Sequence, residues 1–171
     1  MAYTAWSVVA FEQPTAAKWN QLGANDAFFK ALIDDAPYVY ATLSGNQTLS
    51  SGGLEKILFG SEQVDLGGDF ASGTYTAPRD QIVDVTSGLR MENWGAATIG
   101  SAGIYVNGAL LVFVEGRGES SADDSTVVVT ASLKLDLGDT VEIYGRHSGS
   151  GNVIGLTTST YLFISEVRPI L

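Results

Sequence analysis

The longest patterned stretch of the chain is TVVVTASLKLDL, Thr126 to Leu137, where apolar and polar positions alternate with period two. Val127, Val129, Ala131, Leu133, Leu135 and Leu137 fall on one face, and Thr126, Val128, Thr130, Ser132, Lys134 and Asp136 on the other. Successive side chains of a strand point to opposite sides, so this pattern predicts a long half-buried strand. Gly138-Asp139 then turns into TVEIYG, where Val141 and Ile143 alternate with Glu142 and Tyr144. Upstream, GIYVNGALLVFV places Asn107-Gly108 between two apolar runs, the strongest short hairpin signal. IVDVTSGLRM and the terminal TYLFISEV predict two further strands. Short strands with Gly-rich turns and no further helix imply an all-β sandwich or jelly roll over residues 37–171.

The head of the chain follows another pattern. Thr15 precedes AAKWNQL and reads as a helix cap, Gly23 offers a stop, and Asn25 or Asp26 caps a second short turn, AFFKALI. Asp34 to Pro37 ends the helical character, because proline disfavours helix in the residue before it. The expectation is two short helical turns in a separate segment, residues 1–36. Trp6, Phe11, Trp19, Phe28 and Phe29 are too many aromatics for a solvated tail and call for a surface to bury against.

Composition narrows the partners. Nine basic and nineteen acidic residues among 171 give a formal net charge of −10, a field that repels phosphate backbones and argues against nucleic acid. With no Cys there is neither disulfide nor thiolate chemistry. MAYTAWSVVAFEQ lacks the basic start and continuous apolar run of a signal peptide, and no stretch approaches the roughly 18 apolar residues of a membrane span.

Candidate chemistry is sparse. The single His147 sits beside Ser148 in a Gly/Ser-rich stretch read as a solvated loop, and adjacent residues rarely form a catalytic triad. One His with no Cys cannot supply the usual zinc ligands. Asp123-Asp124 follows Ser121 in the polar stretch Gly116 to Ser125, but the spacing of a calcium loop is missing. Neither a phosphate-binding Gly pattern nor a cofactor motif follows a strand. The expectation is a protein that is not an enzyme, with no cofactor and no metal. Binding is then expected on two polar loops, through Ser121, Asp123 and Asp124 in one and Arg146, His147 and Asn152 in the other.

The strand region also resembles a known family. Phe70, Gly73, Tyr75, Ala77 and Pro78, then Val106-Asn107-Gly108, then Leu135, Gly138, Asp139 and Val141, and finally STYLFISEV occur in the order found in complement C1q-type domains. Those domains belong to the tumour-necrosis-factor-like jelly rolls. RDQIVDV stands where the family has a Gly and an aromatic after Ala77-Pro78. The resemblance implies a C1q/TNF-like jelly roll over about residues 38–171 and a homotrimer about a threefold axis. Phe113, Tyr144, Tyr161 and Phe163 are the expected axis-lining aromatics. Tyr161 and Phe163 share one strand face while Leu162 and Ile164 occupy the other, a two-sided apolarity that favours an oligomer.

PTAAKWNQLGANDAFF is similar to N-terminal segments of phage tail-fibre and other virion proteins, through Thr15, Trp19, Asn20, Leu22, Asn25, Asp26 and Phe28. That second resemblance implies a trimeric fibre or decoration protein on a virion surface. Its N-terminal segment would attach to other virion proteins and its jelly roll would face outward, with host-surface glycan as a natural ligand. The alternative is a bacterial extracellular C1q-like module for binding or self-assembly, and the second alternative is a glycan-active enzyme.

Overall fold

The computed structural model describes residues 16–34, 36–50, 53–92, 99–117, 124–149, 151–153 and 159–169. The chain divides into two compact units, Met1–Ala36 and Pro37–Leu171. Among its described residues the first holds one helix, α1 (Ala16–Asp34), which runs through Gly23 without a break. The expected pair of short helices is therefore corrected to a single one. A mid-helix glycine costs about 1 kcal/mol relative to Ala, and the Ala, Lys, Gln and Leu around it absorb that cost. The helix stops short of Pro37, as the restriction on residues before proline requires. Trp6, Phe11 and Thr15 lie outside the described residues, as do the side chains of Phe28 and Phe29. Trp19 and Asn20 are exposed on α1.

The second unit is a jelly-roll sandwich of two antiparallel sheets. The larger contains β1 (Tyr38–Thr42), β2 (Gln47–Leu49), β4 (Ser61–Leu66), β7 (Gln81–Met91), β10 (Ser125–Leu135), β12 (Gly151–Val153) and β13 (Tyr161–Pro169). The smaller contains β3 (Glu55–Lys56), β5 (Phe70–Ala71), β6 (Thr74–Thr76), β8 (Ile99–Val106), β9 (Ala109–Arg117) and β11 (Thr140–His147). In the larger sheet β10 pairs β7, β7 pairs β13, β13 pairs β1 and β1 pairs β4. In the smaller sheet β6 pairs β11, β11 pairs β8 and β8 pairs β9. β10 and β9 are thus the last strands of their sheets on one open side of the sandwich.

Alternation builds the core. Val127, Val129, Leu133 and Leu135 of β10 are buried between the sheets with Val83, Val85 and Leu89 of β7, Leu162 and Ile164 of β13, and Val141 and Ile143 of β11. Leu137 departs from the expected face: β10 ends at Leu135, and Leu137 is exposed in the turn closed by Asp139 N–H donating to Asp136 O at 3.0 Å. The Asn107-Gly108 turn has positive φ at both residues, 51° and 75°, which is the geometry of a tight two-residue hairpin. The Asn107 carboxamide holds it to the next turn, donating to Asp139 Oδ1 at 2.8 Å and accepting from Thr140 N–H at 2.9 Å.

Candidate interaction surfaces

The outward face of the larger sheet carries the first surface. Register aligns Thr130, Thr86, Phe163, Tyr40 and Val64 in one row across five strands. The next row aligns Val128, Gly88, Tyr161, Thr42 and Ser61. Tyr40 and Phe163 stack with centroids 4.4 Å apart and planes 10° apart, and Tyr161 meets Phe163 at 5.2 Å and 55°. The Tyr161 ring lies flat over Gly88: a Cβ there would sit 2.7 Å from one ring carbon and 2.9 Å from another. No other residue lets the ring press so close. Ser87 Oγ donates to the Tyr161 carbonyl at 2.8 Å, and the Thr86 and Thr130 hydroxyls pair at 3.0 Å. The result is a half-buried aromatic cluster ending at Val128, which is 48% exposed on β10.

The second surface is the open edge. Leu111 is 60% and Phe113 45% exposed on β9, beside β10. A shift in β8–β9 pairing at Ile104/Tyr105 leaves Leu111 without a partner in the register. An edge strand reading ALLVFV carries no charge before Glu115, whereas edges left in water usually bear charge or proline.

The third surface is the outward face of the smaller sheet. Thr74, Glu142, Tyr105 and Leu110 form one row; Lys56, Tyr144, Gly103 and Phe113 the next; Arg146, Ser101 and Glu115 the third. Tyr105 and Tyr144 pack ring to ring at 4.0 Å and 32°. Lys56 Nζ donates to Glu142 Oε1 at 2.8 Å, Thr74 Oγ1 donates to the same oxygen at 2.9 Å, and the Tyr144 hydroxyl donates to Oε2 at 3.3 Å. Those bonds, Lys56 foremost, hold the Glu142 carboxyl below its usual range. Burial, and then the adjacent Glu142 charge, push the Tyr144 phenol up. Arg146 Nη2 lies 3.6 Å from Glu115 Oε2, while Arg146 Nε and the fully buried Ser101 Oγ have no partner.

The four aromatics expected around one axis are therefore split. Tyr161 and Phe163 face outward from the larger sheet, Phe113 and Tyr144 from the smaller. All four are aromatic positions on strands, and only long-range pairing sorts them between sheets. Arg146 and His147 belong to β11 and Asn152 to β12. Arg146 points outward, whereas His147 is 2% exposed and turned toward the core, its Nδ1 2.9 Å from Gly149 O and its Nε2 unpartnered. The solvated-loop histidine is thus corrected to a buried strand residue, continuing the inward series Val141, Ile143, Gly145. Asp124 pairs with Arg90 at 3.0 Å, and Ser121 and Asp123 lie outside the described residues. A shallow cleft of about 230 Å³ lies between Leu43–Gln47 and Leu58, where both ends of the Gln47 carboxamide are already bonded to Lys56 O and Leu58 N–H.

No protein-family profile and no curated protein sequence matches the chain. Solved structures do. The globular domain of zebrafish complement 1qA is similar at a TM-score of 0.60 and 13% identity, over 78% of this chain and 99% of that one. Eiger TNF from S. frugiperda gives 0.59 and 12%, over 80% and 94%. Murine APRIL gives 0.59 and 10%, over 77% and 99%. At these identities the likeness establishes the fold alone: a C1q/TNF-like jelly roll.

Proposed function

We propose that the chain is a non-enzymatic, extracellular C1q-like module that assembles as a homotrimer and presents its outer surface for binding. The observation that carries this reading is the aromatic cluster of Tyr40, Tyr161 and Phe163, three partly exposed rings packed together on the outward face of the larger sheet. The exposed edge with Leu111 and Phe113 is a second, different apolar patch. Two unlike patches suit a head-to-tail contact, in which the edge of one protomer packs on the face of the next, and such contacts close into rings. This accounts for why the expected interface residues fall on two surfaces: Phe113 belongs to the edge, Tyr161 and Phe163 to the face. Tyr144 has no part in it.

The N-terminal unit is proposed as an attachment or trimerisation segment, with Trp19 and Asn20 displayed on α1. Placement on a virion surface rests on the sequence of that segment; the fold favours the extracellular assembly module.

Paired variants test the contact. Phe163→Asp disables the face and Phe113→Asp the edge, so each alone should sediment as a monomer. An equimolar mixture retains one good edge and one good face on different chains and should form dimers but not trimers. Loss of assembly on changing the face but not the edge would refute the head-to-tail arrangement.

A further inference from the structure

We infer that the outward face of the smaller sheet, centred on Tyr105, Tyr144 and Arg146, is a binding platform for neutral saccharide. The inference deepens the assembly reading by naming a ligand class and a place for it. It does not rest on the trimer contact: Tyr105, Tyr144 and Arg146 face away from the aromatic cluster, and of the contact residues only Phe113, at the edge, shares a row with Tyr144.

The chemistry of the platform excludes most other occupants. Glu142 already accepts from Lys56, Thr74 and Tyr144, and Lys56 and Arg146 stand close by, so a metal cation finds neither free oxygens nor a negative field. Lys56 is set against Glu142 and Arg146 against Glu115, so the face has no local net charge with which to select a phosphate or acidic polymer. The chain's net charge of −10 opposes such polymers further. An extended apolar segment or a lipid would bury the Lys56–Glu142 and Arg146–Glu115 pairs, whose mutual attraction need not repay the desolvation of four ions. What remains is a ligand with apolar C–H faces for the rings and many uncharged hydroxyls for the charged rim.

Two features point to an incoming hydroxyl. Ser101 Oγ is fully buried on this face without a partner, and Arg146 Nε directly across the strand pair is likewise unpaired. Buried polar groups normally find a partner, and a hydroxyl can both donate and accept. A sugar hydroxyl displacing the loose 3.6 Å Arg146–Glu115 contact would satisfy the guanidinium and uncover the serine. The Tyr105–Tyr144 pair, its rings already packed together, supplies the stacking surface beside it.

The test uses the full chain and three neutral probes, maltohexaose, cellohexaose and N-acetylchitohexaose, titrated calorimetrically beside a heparin hexasaccharide. At least one neutral probe should bind, and the heparin fragment should not. Tyr144→Ala and Arg146→Met should each weaken binding about tenfold, the worth of one aromatic or charged contact. Both should leave the sedimented mass unchanged, and Phe163→Asp should leave binding intact while abolishing the trimer. If Tyr144→Ala does not fold, Arg146→Met and Tyr105→Ala carry the same prediction. Failure of all neutral probes to bind, preference for heparin, or binding indifferent to these substitutions would overturn the platform without touching the trimer.

Discussion

Gly88→Ala isolates the assembly face from the stability of the fold. The added Cβ would lie 2.7 and 2.9 Å from Tyr161 ring carbons and 3.2 Å from its hydroxyl oxygen. Carbon–carbon contacts settle at roughly 3.5–4.0 Å, so the ring must lift by about 1 Å. In a closed core such overpacking costs roughly 1–3 kcal/mol. Here the ring lies on the outward side and can yield. Gly88 has no positive φ, so alanine fits its backbone and recovers roughly 0.4–1 kcal/mol by restricting the unfolded chain. The two effects offset each other in the protomer, and thermal unfolding should show its stability changed by no more than about 1 kcal/mol. Assembly has no such offset. A raised ring disturbs the Tyr161–Phe163–Tyr40 cluster, and losing one aromatic contact of about 1.4 kcal/mol weakens each interface about tenfold. Three interfaces close the ring, so the loss compounds in the trimer association constant read by sedimentation equilibrium. A Gly88→Ala chain that trimerises within about twofold of the parent would refute the role given to the Tyr161 ring, since a single interface alone is predicted to lose about tenfold.

Three further outcomes follow from the same coordinates. Arg79 forks onto Glu166, with Nε at 3.1 Å and Nη2 at 2.7 Å, and the Glu166 side chain is only 3% exposed. Arg79→Met strands a buried carboxylate and should cost about 3 kcal/mol in denaturant unfolding, whereas a cost below about 1 kcal/mol would show that the pair is not needed. Gly108 has open space around it but φ of +75°, so Gly108→Ala should lose about 1 kcal/mol from the backbone alone, lowering Tm by about 2–4 °C in differential scanning calorimetry. An unchanged Tm would place the strain elsewhere. The Glu142 carboxyl is held below 4.5 by its donors, so its contribution to stability is present above that pH and lost as pH falls through the lowered value. The stability difference between the parent and Glu142→Gln should therefore be largest near neutrality and shrink below about pH 4.5; a difference that grows on acidification would reverse the assignment.

Long strands with one buried face were legible in the sequence, because period two survives any tertiary context. β10, β11, β13 and the Asn107-Gly108 hairpin fall where the alternation and the turn residues put them. The strands between Gln47 and Thr76 run to two or three residues in most cases, too short to carry a period, and form because long neighbours offer them ladder partners. His147 was hidden by the Gly and Ser residues after it, although Val141, Ile143, Gly145 and His147 continue a single alternation into the core. Gly23 is a local stop signal that the helix formers on both sides of it override. The division of Phe113 and Tyr144 from Tyr161 and Phe163 had no local signal, since the choice of sheet is made by pairing between residues far apart in the chain. For the same reason the third surface was invisible: Thr74, Lys56, Tyr105, Ser101, Glu115 and Arg146 come from five strands and meet only in register.

Mass in solution bears most directly on the assembly reading. Sedimentation or light scattering of the full chain at micromolar concentration should return three times the 18.0 kDa chain mass. A clean 18.0 kDa species under those conditions would contradict it, and would leave the aromatic field of Tyr40, Tyr161 and Phe163 without its proposed partner.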